Sequence, residues 1–512
     1  MKNNIDNNKE QEEKEEEIPI NKLIVLKDDS SSDTNNKNDT NNLDYIIDHG
    51  CCTKYPLFII IGSFIGFISD GIEMNLFNFA QDPIEDKFSG SSKAFLSACI
   101  FIGVGSGSLL CSFFTKKYGR VFSLNASYFL LLISHFFQSL IINSYVFIIF
   151  RILVGFALGV IVPIALNLLS EFLPNSYRGF FLLFIWFFFT IGNIFLPLCS
   201  YLTMPDLSQY DLQKFLYVIN IFHVISFLFN FACLVDSPRN LIFGEKYKES
   251  KQILESIRKD KIDLPQFEKL VINVKKNSSK SVQGRICDLF GKKYTFTTFC
   301  IIFLFFVQAG AYYGIYSIYM KSLDEFKNND DSSSSSDDNE ENIDKYLITA
   351  SLSLLSYVIG GIVINLKNLG RKSIIAIFMI LQGICLILCI IITKLFTEFF
   401  TLNLLFANIH SNVLLGYVVE VYPTKIRDLS SGFILMTFRV SCFISQFLFK
   451  WLFDIDKIVP YIFQGICLVI GTIITLLLPI ETKGRALDVK SNVDKSNLID
   501  KNMSYNKLEE EN

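Results

Sequence analysis

Asp70 and Glu73 stand three residues apart inside a long apolar run, so a helix would place both on one face. A charged side chain at the middle of a membrane span costs about 2.5–3.5 kcal/mol on insertion scales, so each one there needs a reason. Two carboxylates this close in low dielectric resist carrying two charges, and one is expected to bind a proton near neutral pH. That is the chemistry of proton or substrate handling. The structural alternative is pairing with Arg151 or Arg439 that merely ties helices together. Arg439, within Met436-Thr-Phe-Arg439-Val-Ser, is a buried cation that could take a carboxylate bidentately or serve as the other half of such a pair. Gln308, Tyr312, Tyr316 and Tyr319 follow at spacings of four, four and three and form one helical stripe of hydrogen-bonding groups. Tyr319 is expected in the aromatic belt at the outer surface. Asn408, His410 and Asn412 make a further polar patch. Trp186, Asn193 and Pro197 read as packing or kink residues as readily as contacts. His135 and His223 read as satisfied interior histidines rather than proton relays.

The elements that must carry these residues are membrane helices. The chain has 512 residues, 51% of them hydrophobic, with a mean hydropathy of +0.38. A net charge of −3 excludes nothing. Twelve apolar runs are long enough to span a bilayer at about 20 residues each. They fall near 57–79, 94–115, 122–142, 146–170, 180–200, 215–235, 294–319, 346–366, 373–393, 396–419, 430–450 and 458–479. The expected organisation is a disordered cytoplasmic tail (1–56), a six-helix bundle (57–235) and a cytoplasmic linker with amphipathic helices (236–293). A second six-helix bundle (294–479) follows, interrupted by a disordered acidic outside loop (321–345), then a cytoplasmic tail (480–512). Within the linker a helix is expected from Lys246 to Lys259, with Ile253, Leu254 and Ile257 on one side. Lys and Arg cluster in alternate loops, which puts both termini in the cytoplasm. None of the twelve cysteines falls in an expected outside loop, which argues against a disulfide framework. Cys51 and Cys52 adjoin the first span, where acylation is one reading and an unmodified pair the other.

Two loop signatures recur at a constant offset. Glu171-Phe-Leu-Pro174-Asn-Ser-Tyr-Arg178 returns as Glu420-Val-Tyr-Pro423-Thr-Lys-Ile-Arg427, 249 residues on. Lys116-Lys-Tyr-Gly119-Arg120 returns as Lys367-Asn-Leu-Gly370-Arg371, 251 residues on. Two related halves in tandem, each of six spans, form the layout of a carrier with its site between the halves.

These residues resemble the major facilitator superfamily, in its organic-ion, synaptic-vesicle-related and sugar-porter-like branch. The likeness covers roughly residues 57–488. Gly119-Arg120 and Gly370-Arg371-Lys372 are similar to the family's loop signature. Arg151-Ile-Leu-Val-Gly155-Phe-Ala-Leu-Gly159, with Pro163, resembles its fourth span. Asp236-Ser-Pro238-Arg239 and Pro479-Ile-Glu481-Thr-Lys483-Gly484 look like the phrases that follow spans six and twelve, and Asp70-Gly71-Ile-Glu73 looks like its first span. The resemblance implies an all-α membrane protein of twelve helices in two six-helix pseudo-repeats. It implies gating by Glu171 with Arg178 and Glu420 with Arg427, alongside Arg120 and Arg371, and a structural role for Arg151, Gly155 and Gly159. There are departures: Lys116 and Lys367 replace the signature's acid, Ser112 replaces its opening glycine, and the sugar porters' glutamine cluster thins to Gln308.

The reading is a secondary carrier working by alternating access, with no enzymatic activity, cofactor, metal site or nucleic-acid partner. No Gly-Lys-Ser or Gly-Lys-Thr phosphate loop and no polar-loop His or Cys metal spacing is present. The expected cargo is a small organic anion, a monocarboxylate or a vitamin such as pantothenate, with protons as the driving ion. The sites would be Asp70, Glu73, Arg439, Gln308, Tyr312, Tyr316, Asn408 and Asn412. The alternatives are a hexose or organic-cation carrier, or a non-transporting sensor or vesicle protein on the same scaffold. A monomer in the plasma membrane is expected. The Asn-, Lys- and Phe-heavy composition with polar low-complexity inserts resembles parasite or protist coding bias, and among such proteins the apicomplexan pantothenate transporters are a candidate match.

Overall fold

The computed structural model describes residues 54–85, 93–140, 144–173, 175–204, 209–258, 260–279, 286–319, 322, 337–364, 369–422 and 424–482. Cys51, Cys52, Lys367, most of both tails and most of the acidic insert lie outside the described residues. The described chain is helical throughout. Its elements are α1 (Lys54–Glu85), α2 (Lys93–Tyr118), α3 (Arg120–Ser139), α4 (Ser144–Phe172), α5 (Asn175–Thr203) and α6 (Gln209–Cys233). The short α7 (Pro238–Phe243), α8 (Tyr247–Arg258), α9 (Leu264–Ser279) and α10 (Ile286–Leu289) follow. Then come α11 (Thr295–Ala309), α12 (Asp337–Ile364), α13 (Arg371–Ile391), α14 (Phe396–Val421), α15 (Thr424–Ile455) and α16 (Val459–Leu477).

Eleven stretches among the described residues are long and apolar enough to cross a bilayer, and Leu347–Val363 in α12 is a shorter twelfth. Helices are the natural outcome: hydrocarbon offers no partner for a free N–H or C=O, so each segment must close its own backbone bonds. Phe113, Phe122, Ile221, Leu228, Ile384 and Ile473 point outward and are largely exposed. Such a belt would aggregate in water and is solvated by lipid.

The acidic insert corrects an expectation. Its last residues are not loop, since α12 starts at Asp337 and winds through Asp338, Glu340 and Glu341. Acids in a first turn face the positive end of the helix dipole, which favours that early start. In the linker, α8 runs Tyr247–Arg258 with Ser250, Ile253, Leu254 and Ile257 buried, and it packs on α1.

Close helix contact inside the first half is made by glycine. A Cβ on Gly155 would stand 2.2 Å from the Ile100 carbonyl oxygen, and one on Gly159 would stand 2.3 Å from that of Val104. Gly103 and Gly107 of α2 meet α4 in the same way, so the two backbones touch through paired small-xxx-small faces. The halves meet along two seams, α2 against α15 and α5 against α12. Counting spans, these are two–eleven and five–eight, which exchange under a pseudo-twofold axis.

Span seven is interrupted. After α11 the chain makes a π turn, Gly310–Gly314, and then regains α geometry up to Tyr319. A π turn breaks the regular ladder and leaves carbonyls to be satisfied from outside. Gln464 donates to the Val307 carbonyl at 2.9 Å, Ser445 to that of Ala309 at 3.4 Å, and Gln446 to that of Tyr313 at 3.1 Å. Donors from α15 and α16 therefore hold the irregular turn beside the central cavity.

Candidate functional site

A central cavity of about 560 Å³, counting its mouth, lies between the halves. From α5 it receives Trp186 and Phe189. Span seven supplies Phe305, Gln308, Tyr312 and Tyr313, and α12 supplies Tyr357. Asn408, Ser411, Asn412 and Leu415 come from α14, and Leu435, Phe438 and Arg439 from α15. The wall is aromatic with a few amides and one guanidinium, a composition suited to a small solute with a polar end. Gln308, Tyr312, Asn408, Asn412 and Arg439 of the expected site all stand on it.

Tyr316 does not. It is buried away from the cavity, stacked between Tyr312 and Tyr319. The stripe persists through the π turn, since Tyr312, Tyr316 and Tyr319 stack one on the next, but beyond Tyr312 its rings are covered by Phe396 and Phe400 of α14. Tyr319 is likewise fully buried instead of lying in a surface belt, with its ring 4.1 Å from that of Phe400. His410 also turns inward, with Nδ1 3.3 Å from the Phe406 carbonyl. Tyr313, Tyr357, Ser411 and Phe438 line the wall without having been expected there, and Trp186, readable from sequence as packing or contact, lines it too. For Trp186, a single tryptophan in an otherwise phenylalanine-rich span was the available signal.

The two acids of α1 separate. Both are fully buried and neither lines the cavity. Asp70 reaches across to Arg439, with Oδ2 3.8 Å from Nη2. That is an ion pair too long for a hydrogen bond, and both Asp70 oxygens lack a hydrogen-bond donor. Arg439 Nη1 also points at the Met74 sulfur, 3.9 Å away. Glu73 turns the other way, into the first half. Arg151 donates from Nη1 to Glu73 Oε2 at 2.7 Å and from Nη2 to the Glu73 carbonyl at 2.6 Å. His135 Nδ1 stands 2.7 Å and His223 Nε2 2.8 Å from Glu73 Oε1. The expectation that Glu73 faces the chamber beside Asp70 and Arg439 is therefore corrected. Three residues of helix leave the two side chains about 60° apart around the axis and about 4.5 Å apart along it, and on one face they still meet different neighbouring helices. His135 and His223 are interior histidines gathered at this carboxylate: His223 Nε2 hydrogen-bonds to it, while His135 Nε2 lies 3.1 Å from the Leu216 carbonyl, and the Nδ1 of each ring has no hydrogen-bond partner.

A polar relay joins the halves beside this pair. Asn193 donates to the Tyr312 hydroxyl at 3.0 Å, and Asn75 donates to Asn193 Oδ1 at 2.7 Å. Asn193 is therefore a contact across the seam, not a packing residue alone.

On the face that carries the Gly-Arg loops the two halves repeat one construction. Arg120 forms an ion pair with Glu171, and Arg371 grips Glu420 with Nη2–Oε1 at 3.3 Å and Nε–Oε2 at 3.5 Å. The expected partners of these acids were Arg178 and Arg427. Both sit at helix starts, and their side chains lie outside the described residues. The acids that follow each half's last span cap the helix after each Gly-Arg turn. Asp236 Oδ1 accepts from the Val121 N–H at 3.4 Å. Glu481 accepts from the N–H groups of Arg371 and Lys372 at 2.8 and 3.3 Å. A carboxylate at a helix N-terminus satisfies free N–H groups and opposes the helix dipole. Gly119 takes φ +87°, a conformation that side chains disfavour, to make the first of these turns.

Residues 57–492 match the family model described as sugar (and other) transporter. The chain belongs to that transporter family. Among its relatives, the rat synaptic vesicle 2-related protein is 25% identical over 86% of this chain and 80% of its own length. The organic cation/carnitine transporter 7 of Arabidopsis thaliana is 23% identical over 85% of this chain and 93% of its own. The inward-open structure of the E. coli xylose transporter XylE superposes with a TM-score of 0.67 at 16% identity, covering 85% of this chain and 98% of that one. The major facilitator fold is thereby shown. The transporter is a multi-pass membrane protein that moves a small-molecule solute.

Proposed function

We propose that the transporter carries a small organic anion, such as a monocarboxylate or a pantothenate-like vitamin, and that protons drive it. The supporting observation is the contrast between its two buried arginines. Arg151 binds Glu73 through both terminal nitrogens at hydrogen-bond distance. Arg439 opens on the cavity and is held by a carboxylate 3.8 Å away that makes no hydrogen bond of its own. Arg439 is also hydrogen-bonded by Tyr313, but its acid makes no hydrogen bond to it and it lines the cavity, so its fork can turn to an incoming carboxylate.

The coupling follows from competition for that guanidinium. An arriving anion and Asp70 both seek Arg439. Binding the anion leaves Asp70 as a buried carboxylate without its counter-ion, which is costly. A proton on Asp70 removes that cost, so anion and proton favour each other's binding. Gln308, Tyr312, Asn408 and Asn412 would orient the rest of the solute. The halves would rock about this site, with Arg120–Glu171 and Arg371–Glu420 among the loop-face charges that rearrange. The distribution of Lys and Arg supports a reading with both termini in the cytoplasm.

A second reading has its own support. Seven aromatic residues line the cavity, and aromatic faces attract onium groups. With Asp70 ionised against Arg439, a zwitterion with a quaternary ammonium at one end and a carboxylate at the other would also fit. Uptake of labelled pantothenate, lactate and carnitine into proteoliposomes, with and without an inward proton gradient, separates the two. Arg439→Ala should raise KM for the transported anion by roughly 10- to 150-fold, as expected for losing a charged hydrogen bond of about 1.5–3 kcal/mol. It should barely affect a neutral solute. Equal losses for charged and neutral solutes would remove Arg439 from substrate contact.

A further inference from the structure

Two side-chain amides stand at one level inside the second half. Gln382 on α13 and Asn403 on α14 are fully buried, and neither the oxygen nor the nitrogen of either amide has a hydrogen-bond partner among the described residues. The register of the two helices sets their level. α13 and α14 are antiparallel neighbours joined by a short turn. Across that turn Cys389 Sγ lies 3.9 Å from the Phe396 carbonyl oxygen, and deeper in the bundle the rings of Phe378 and Phe406 are 5.8 Å apart. Gln382 is seven residues in from Cys389, and Asn403 is seven in from Phe396. Seven residues are close to two full turns, so each amide keeps the face of the residue it is counted from, about 10 Å deeper. The Cys389 thiol points at α14, and the Phe396 ring points into the second half, against Tyr319 and Tyr461.

His410 extends the α14 row by seven more residues. Its Nδ1 is 3.3 Å from the Phe406 carbonyl. A carbonyl only accepts, so Nδ1 carries the hydrogen and Nε2 of the neutral ring is an acceptor. That Nε2 is buried and has no hydrogen-bond partner among the described residues either. Side chains tilt toward the N-terminus of their helix. His410 therefore leans back toward Asn403, while Gln382, on the antiparallel helix, leans toward the level of His410. Between Asn403 and His410 on the same row stands Ala407, fully buried and small.

An amide shut in a protein interior without partners costs about what its lost hydrogen bonds cost, so these groups call for a ligand. The charge of the surroundings selects it. α13 and α14 carry ionisable residues only near their ends, at Arg371, Lys372, Glu398 and Glu420, and α16 carries none. A cation would find two amide oxygens and an imidazole nitrogen but no carboxylate. An anion would find N–H donors but no cation. Either charge would be buried without a counter-ion. A neutral molecule that both donates and accepts, and is small enough for the space beside Ala407, is water.

We propose that Gln382, Asn403 and His410 form a binding site for ordered water, sealed between spans nine and ten, which bridges the two amides and reaches His410 Nε2. The site backs the cavity, since Asn408, Ser411 and Asn412 stand on the other side of α14. Water bridges break and re-form without leaving a polar atom unsatisfied. α14 therefore shifts its cavity face against α13 without repacking the core. This role does not depend on which solute the cavity takes.

The test needs no solute. Purified full-length protein in detergent is diluted into H₂¹⁸O and exposed to a brief X-ray pulse. Radicals form from bound water where it sits, so a buried side chain beside ordered water takes up oxygen and one in a dry core does not. His410 should be oxidised despite its burial, and its ¹⁸O content should rise slowly after dilution. Phe215, just as buried but inside an apolar cluster, should stay unmodified. The His410 label should be lost when Gln382→Met and Asn403→Leu are combined. Thermal melts of the two single variants and the double variant give an independent reading. Removing one end of a water bridge orphans the other, so each single variant should melt lower than the unmodified protein. The double variant should lose less than the two singles together. A His410 as unreactive as Phe215 would overturn the proposal. So would two single variants that each melt higher, which is how unpartnered amides respond to apolar replacements of like shape. Coupling in the melts with an unlabelled His410 would also overturn it, because the amides would then bond each other directly.

Discussion

At the scale of the residue, sequence marks which side chains are costly but not where they point. Asp70, Glu73, Arg151 and Arg439 are identifiable because a bilayer tolerates none of them unpaired. Their pairing, Glu73 with Arg151 and Asp70 with Arg439, depends on helix rotation and on which helices are neighbours. The histidines are harder still: His135 and His223 lie far apart in the chain and meet only because α3 and α6 both pack beside α1. The competition at Arg439 makes a definite prediction. Asp70→Asn keeps the shape and removes the charge. Anion uptake by this variant should lose its dependence on external pH, and gradient-driven accumulation should disappear while anion exchange persists. If Asp70→Asn accumulates anion against a gradient as the unmodified protein does, Asp70 is not the coupling group.

At the scale of the element, hydropathy located the spans well, because hydrocarbon enforces helices wherever the apolar run is long enough. It did not reveal the π turn at Gly310–Gly314, whose stability comes from Gln446, Gln464 and Ser445 on distant helices. The stripe through Tyr312, Tyr316 and Tyr319 stays stacked, but only Gln308 and Tyr312 reach the cavity, because Phe396 and Phe400 of α14 cover the rings beyond. The glycines of span four were legible as a motif. Their meaning is steric, since the α2 and α4 backbones leave no room for a Cβ. Gly155→Leu should therefore destabilise the detergent-solubilised protein by more than about 3 kcal/mol, beyond the usual range for overpacking, because the clashing partner is backbone. Gly383→Leu is the control, since a Cβ there meets nothing within 4 Å. A thermal melt that drops equally for both would show that the α2–α4 contact yields.

At the scale of the whole molecule, the chemistry is divided unevenly between two similar halves. The first half contributes the acids and the histidine cluster. The second contributes most of the cavity wall and Arg439. The loop face, by contrast, is shared evenly: each half folds its own acid, Asp236 or Glu481, back onto the N-terminus of its own helix after the Gly-Arg turn. Both acids stand in phrases that sequence alone marks, and the repeated offset of the turns they cap ties them together. What they do becomes visible only once the last span of each half returns beside its third. Because each cap acts within one half, the two should be energetically independent. Asp236→Ala and Glu481→Ala should each cost about 0.5–2 kcal/mol, the usual range for losing a helix cap. The double variant should cost their sum to within about 0.5 kcal/mol, as distant sites do. Thermal or denaturant unfolding in one detergent measures all three. A coupling well above that limit would mean that the halves do not behave as separate bodies joined at seams, and rocking about the cavity would lose its mechanical basis.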